Sequence, residues 1–533
     1  MNRVASLVQK ISCKIVLGIS MVIVGFLFIQ LFFTDVKINI DEKAIFSYLD
    51  SWWKYIIAIF LLLGGTFIVN RYCKGIFNSH FIKVITCIYA VLMLCFVIIT
   101  KMEPRADQQL VLQVADQFAA GDYSAWAKGA YGDLYSNQYG LILILATFSK
   151  IWGKYNWLLF QMMNIIFIII AAIGMKKITF IFFNNEKVSQ IVYLMLLFFL
   201  PMDLYVTFVY GTLPGLASVV WGTYFVLKSF EKDSIIMGLL SAVLIVLACV
   251  LKSNYLIYFL GVLIVIFFYC CKKKSKASLC VIISLLVLYS IAGHLINSCI
   301  NNKVGNREQR GIPSIAWVAM GLQDTGEKGP GWYNSYTKEV YWDNNCNNEL
   351  TKIEAQKEVV KSLKYLSADI NGGIKFFYKK IASEWNEPTF ESLWINNKLR
   401  NRNQDIPKWV QNFFDGQNIL SELYVEAYRI ILFLLWMGIL IFLYLERKTD
   451  NIMNLLWLII FIGGFLFHLF WEAKGQYTLI YVWLCIPYGV KGYYSLFNSI
   501  NTDEYSCAVT PQIRQTGNRL SGLAGTAYAS LLA

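Results

Sequence analysis

Twelve apolar runs, most of them joined by short polar links, decide what this chain can fold into. They are Ile15–Phe33, Tyr55–Val69, Phe81–Thr100, Trp157–Met175, Val188–Pro201, Leu213–Leu227, Ile235–Leu251, Tyr255–Cys271, Ala277–Cys299, Ala427–Leu445, Ile452–Phe470 and Leu479–Tyr494. A helix rises about 1.5 Å per residue, so roughly 20 residues cross a hydrocarbon core about 30 Å thick. The shorter runs need tilt, flanking aromatic residues or local thinning to span. Hydrophobic residues make up 57% of the chain and charged residues 15%, against about 25% charged in a soluble globular protein. The expectation is an all-α polytopic membrane protein with a large extracytoplasmic loop. The first run is too long for a signal-peptide core and has no small-residue cleavage site after it.

The net charge of +13 does not point to nucleic acid, because the basic residues are scattered over many short loops. There they set topology: Lys and Arg collect on the cytoplasmic side. Arg3, Lys10 and Lys14, then Arg71 and Lys74, Lys176, Lys177 and Lys187, Lys228 and Lys232, the CCKKKSK cluster, and Arg447 with Lys448 all share one side on a single condition. The segment Tyr139–Trp152 must not cross. The expected arrangement is therefore about twelve spans plus one re-entrant or interfacial helix. Thirteen spans is the alternative. The N-terminus is expected in the cytoplasm of a multi-pass cell-membrane protein, with both long polar segments outside.

These rules divide the chain into 1–100 (N-terminal membrane helices), 101–154 (first extracytoplasmic loop with interfacial helices), 155–300 (central helices), 301–426 (large extracytoplasmic loop), 427–497 (C-terminal helices) and 498–533 (a weakly ordered polar cytoplasmic tail). Most of the twelve cysteines lie in or beside apolar runs, so no disulfide framework is expected.

The first polar segment reads KMEPRADQQLVLQVADQFAAGDYSAW. Leu110, Val111, Val114, Ala115 and Phe118 form a helical stripe, suited to a helix lying on a membrane surface. Asp107 opens it, where an acid either serves the helix terminus or does chemistry. The element PMDLYVTFVYGTLPGL breaks an apolar run with two prolines and two glycines; broken helices at membrane depth line cavities. Its acid, Asp203, is a functional candidate or an interface-exposed side chain. Lys252, in LKSNYL, either snorkels or binds a phosphate. Glu472 and Lys474, two residues apart, are expected in a turn, with Trp471 and Tyr477 in an aromatic belt. His468 is read as a core residue. With three histidines in the chain, no zinc site is expected. No cofactor is predicted, and nothing in the sequence supports a divalent metal. The Trp- and Tyr-rich run GIPSIAWVAMGLQDTGEKGPGWYN and the later WNEPTFESLW suit either stacking on sugars or packing of the loop onto the membrane.

The ordered set EPRADQQLVLQVADQFAAGDY, YSNQYGLILILATFSKIWG, PMDLYVTFVYGTLPGL and WEAKGQYTLIYVWLCIPY resembles the bacterial GT-C membrane glycosyltransferases of the protein-mannosyltransferase and aminoarabinose-transferase group. The likeness runs from about Phe81 to Tyr494, with GIPSIAWVAMGLQDTGEKGPGWYN and WNEPTFESLW similar to a Gram-positive branch. The resemblance implies a GT-C-like fold and a role in building the cell envelope. It implies transfer of a sugar from a polyprenyl-phosphate donor to an extracytoplasmic glycan, lipid or protein, with Asp107 as general base. Lys252, Glu472, Lys474, Tyr210, Asp203 and Tyr477 are the candidate substrate-binding residues. Related enzymes often carry an acid just after the tyrosine that matches Tyr210; here Gly211 and Thr212 follow it. The rival readings are a lipid-linked glycan transporter or flippase, and a polysaccharide polymerase. No nucleotide-binding pattern is present in a suitable context.

Overall fold

The computed structural model describes residues 2–48, 51–72, 79–273, 275–305, 310–396 and 406–498. Of the tail expected over 498–533, residues 499–533 lie outside the described residues.

All twelve apolar runs are helical along most of their length. Helix α1 (Asn2–Phe33) leads into a two-stranded antiparallel hairpin, β1 (Thr34–Ile38) and β2 (Ala44–Tyr48). Then come α2 (Trp53–Tyr72) and α3 (Ser79–Thr100). The first polar segment forms α4 (Asp107–Ala120) and α5 (Tyr139–Trp152). Helices α6 (Trp157–Phe183), α7 (Glu186–Leu197), α8 (Thr212–Lys232), α9 (Ile235–Leu251), α10 (Leu256–Lys273) and α11 (Lys276–Val304) follow. The second polar segment contributes α12 (Ser314–Gly321), α13 (Tyr336–Asp343), α14 (Asn348–Ala368) and α15 (Ile370–Trp385). The chain closes with α16 (Ile419–Leu445), α17 (Leu456–Phe470) and α18 over 475–498.

This is an all-α polytopic membrane protein. Among the described residues, seven helices are long and apolar enough to cross a bilayer. The count becomes eight if α7 and the turns over Leu200–Thr207, bent by 50°, form one broken span. That is fewer than the twelve runs suggest. Helix α9 is apolar but short, at seventeen residues. Helix α8 carries Ser, Thr and Gly that lower its hydropathy, and α6 and α9 bury nearly all of its first half.

Local chemistry sets the helix starts. Asn156, Asn185, Ser234, Asn347 and Asn418 each accept a hydrogen bond from a first-turn N–H, satisfying a donor the helix leaves open. Helix α8 packs on α6 and α9, α9 on α11, α10 on α17, and α1 on α16 and α17.

Contacts with neighbours bear on two expectations. Helix α5 spans fourteen residues, about 21 Å, and packs its Leu141, Ile142 and Leu145 face on α4, so it is no full span. The buried face of α4 is Gln108, Val111, Leu112, Val114 and Ala115, whereas Leu110 is exposed. The helix is sandwiched against protein along that face, which displaces the expected stripe. The hairpin was not foreseen at all. Its strands are five residues each and sit between two strongly apolar helices.

Candidate functional site

The ends of α3, α9 and α17, the starts of α10 and α18, and both polar segments meet in one place. Three short backbone devices bring them there.

The first is Gly211. A Cβ at this position would lie 2.0 Å from the Leu251 carbonyl oxygen, so only glycine lets the PMDLYVTFVYG element press against the end of α9. The contact sets Thr212 beside Lys252, whose Nζ donates to Thr212 Oγ1 at 3.0 Å. Thr212 is thus a neutral acceptor for the lysine. Lys252 also lies 5.7 Å from the Tyr210 ring centroid and 5.5 Å from that of Tyr477. It is 6% exposed and does not snorkel. Burial pushes its ammonium down to about 7, partly offset by Glu391.

The second device is the GPGW turn. Gly331 has φ 74°, and a side chain there would strike the Gly321 carbonyl and Lys380. Its own carbonyl accepts from Ala473 N at 2.8 Å, and Trp332 pairs with Ala473 in a parallel bridge. Residues 472–474 are therefore held extended in a bridge rather than wound into α17 or α18, where the sequence suggested a turn. Lys474 Nζ lies 2.9 Å from Glu42 Oε1 and 3.9 Å from Glu472 Oε1. Tyr477 donates to Glu472 Oε2 at 3.3 Å, so it faces this cluster and not a lipid belt. Burial pushes Glu472 up to about 7 against the pull of Lys474. Burial opposes charge on Lys474, but Glu42 and Glu472 outweigh it and hold the ammonium well above its usual range.

The third device is the entry to α4. Ala106 is the N-cap, with φ 52° and no side-chain cap bond, so Asp107 is the first helical residue and not a cap. Its carboxylate is exposed. It is an electrostatic neighbour of Tyr131, Tyr135, Tyr210, Tyr477 and Glu472. The short Gln138–Tyr210 hydrogen bond ties the first polar segment to the same wall.

Asp107, Lys252, Glu472, Lys474, Tyr210 and Tyr477 are thus one constellation. Asp203 is not part of it. It is 1% exposed, which overturns the interface-exposed reading, and Oδ1 accepts from Tyr89 at 2.8 Å while Oδ2 has no hydrogen-bond partner. His468 is fully buried and stacked on Tyr477, with neither ring nitrogen hydrogen-bonded. Among the described residues no group of His, Cys, Asp or Glu is arranged to hold a metal ion.

Three contributors went unrecognised in the sequence. Glu42, from the hairpin, pairs with both Lys474 and Lys328. Arg105 stacks on Trp394 at 4.2 Å, and Lys474 lies over the same ring at 5.6 Å. Glu391 accepts from Gly475 N at 3.0 Å and is pushed up to about 8, chiefly by burial. Glu42, Ala106, Phe390 and Glu391 all have positive φ, at 61°, 52°, 49° and 60°. Strain of this kind in non-glycine residues gathers at functional sites. The WNEPTFESLW run is buried. Asn386 bonds Leu27 O and Gln30 of α1, Trp436 donates to Asn386, and Ser392 meets Tyr424 of α16. It is the foot on which the second polar segment stands in the helix bundle. A signal was there to read: polar residues at close spacing between tryptophans.

The search of curated proteins found no match. The model of one family, described as conserved hypothetical integral membrane protein, matches residues 10–484. That range takes in every element of the site, and the chain belongs to this family of integral membrane proteins.

Proposed function

We propose that this protein is a membrane glycosyltransferase that moves a sugar from a polyprenyl-phosphate donor to an extracytoplasmic glycan, lipid or protein. The observation that carries the reading is the constellation itself. An exposed carboxylate, Asp107, faces a tyrosine wall (Tyr131, Tyr135, Tyr210, Tyr477) above two buried lysines, Lys252 and Lys474. A lipid-phosphate sugar needs this division of labour. Asp107 takes the proton of the acceptor hydroxyl as its oxygen attacks the anomeric carbon. The bond from that carbon to the phosphate oxygen breaks, and the polyprenyl phosphate leaves with the electron pair. Lys252 and Lys474 stabilise its charge in a water-poor site. Glu472 orients Lys474, and the tyrosine rings suit the faces of a sugar.

In this reading the fold is GT-C-like, with all twelve apolar helices crossing the bilayer. Helices α2, α8, α9 and α18 do so by packing against their neighbours and by local thinning of the bilayer. The N-terminus is cytoplasmic and the site extracytoplasmic.

Asp107→Asn tests the reading. The residue is not a cap, so the variant should insert, melt and bind donor as the wild type does. Transfer should fall about 10²–10⁴-fold, the usual worth of a general base. Near-normal transfer by a well-folded variant would remove Asp107 from catalysis. Donor-dependent movement of lipid-linked glycan across vesicles without glycosyl transfer would favour a flippase instead.

A further inference from the structure

The tip of the hairpin is built in a way its surroundings do not require. Asn39 Oδ1 accepts from Asp41 N at 3.0 Å and Lys43 N at 2.9 Å, closing the turn. Asp41 and Lys43 point to solvent, but Glu42 between them is 5% exposed. It reaches this position through a left-handed backbone, φ 61°, that a glutamate rarely adopts. The hairpin is clamped in place: Ala44 N donates to Lys328 O at 2.8 Å, and Ala44 packs with Trp332 and Ala473. Glu42 thereby lies between two lysines from distant parts of the chain. Oε2 contacts Lys328 Nζ and Oε1 lies 2.9 Å from Lys474 Nζ.

Two ammonium groups converging on one carboxylate are an anion site. We propose that Lys328 and Lys474 together bind a phosphate monoanion, that Glu42 is its stand-in while the site waits, and that the donor's phosphodiester takes Glu42's place. This rests on the transferase reading given above. Charge argues for exchange over addition. With Glu42 seated, Lys474 already faces Glu42 and Glu472, and Lys328 faces Glu42. A further anion between Lys328 and Lys474 would meet two ammonium groups already paired. A phosphodiester carries one negative charge, as Glu42 does, so the swap leaves the balance unchanged and needs no proton. The surroundings agree: the two lysine partners, outweighing burial, keep Glu42 ionised. Both sequence neighbours of Glu42 are at the surface, and the hairpin's anchors, the Ala44 N–H and side chain, do not involve the Glu42 carboxylate.

Carbodiimide labelling of the wild-type protein in lipid nanodiscs, read residue by residue by mass spectrometry, tests the exchange directly. Adding a polyprenyl-phosphate sugar such as polyprenyl phosphomannose, the phosphodiester, should raise labelling of Glu42. In parallel, Glu42→Gln should bind the same phosphodiester at least about fivefold more tightly, the lower end of a typical coupling between sites. Glu42→Asp, which keeps the charge, should stay close to wild type. Unchanged or reduced labelling of Glu42 overturns the proposal, and this measurement needs no variant to fold. Equal or weaker binding by a Glu42→Gln protein that melts normally overturns it too. Inorganic phosphate serves as the second arm. A response to it at the concentration where the lipid acts would make this a free-phosphate site and defeat the donor assignment. Transfer by wild type, lost in Asp107→Asn, reports separately on the transferase reading, so the two can fail independently.

Discussion

Lys252 shows how much one side chain's surroundings decide. In the sequence it is a lone cation between two apolar runs. In the fold it is buried, bonded to Thr212, set beside Tyr210 and Tyr477, and pushed down to about 7 by burial. Glu391 and Lys474 are the other charged groups that act on it. Its charge is therefore present below about pH 7 and lost as pH rises through that value. Glu472, pushed up to about 7, gains a negative charge over the same range. Both changes weaken attraction for a phosphate as pH rises. Binding of a polyprenyl-phosphate sugar, whose phosphodiester keeps one negative charge throughout, should accordingly fall between about pH 6 and pH 8.5. Lys252→Arg, whose guanidinium stays charged, should flatten the lysine's share of that fall. A pH profile equally steep in the variant would assign the dependence to other groups. Asp203 presents the reverse case. It looked like a site residue because it is an acid in a broken helix, yet it faces Tyr89 in a separate buried contact.

Among the elements, the segment carrying GPGW has the largest structural share. Trp332 is 1% exposed, donates to Ser383 Oγ at 3.0 Å, and pairs through its backbone with Ala473. It joins the hairpin, the second polar segment and the extended 472–474 stretch. Trp332→Ala should cost about 3–5 kcal/mol, the usual range for deleting a fully buried aromatic side chain. The hairpin that holds Glu42 and the stretch that holds Lys474 should loosen together. Thermal melting and limited proteolysis would register this as a lower midpoint and new cleavage near 322–335. A variant with unchanged melting would show that the junction is held elsewhere. Helix α4 makes a related point: its apolar stripe was read as membrane-facing, but α5 covers part of it.

For the whole molecule, orientation is the quantity on which the proposed chemistry depends. The lysine clusters argue that the loop after α10 faces the cytoplasm and the segment carrying α12–α15 faces out. Reporter fusions should place Lys273 inside and Asn345 outside. Finding Asn345 in the cytoplasm would reverse the topology and remove an extracytoplasmic glycosyl donor from consideration. The architecture ties the two polar segments to one end of the bundle through Arg105 on Trp394 and Tyr205 on the Phe390 carbonyl. They belong to the same body as the membrane helices.

By itself the sequence determined the membrane class, the position of nearly every long helix and most of the candidate site. Helices in lipid must satisfy their own backbone, so apolar runs report them directly. Asp107, Lys252, Glu472 and Lys474 stood out because charge beside such runs is costly and sparse. Only the tertiary structure decided which of these charges meet, because that depends on close approaches such as Gly211 to Leu251 and on the bridge between Trp332 and Ala473. It also brought in Glu42, more than four hundred residues before Lys474 and indistinguishable in the sequence from an ordinary loop acid. Ion pairs between distant segments leave no periodicity to read. They exist once packing has removed water from between their partners.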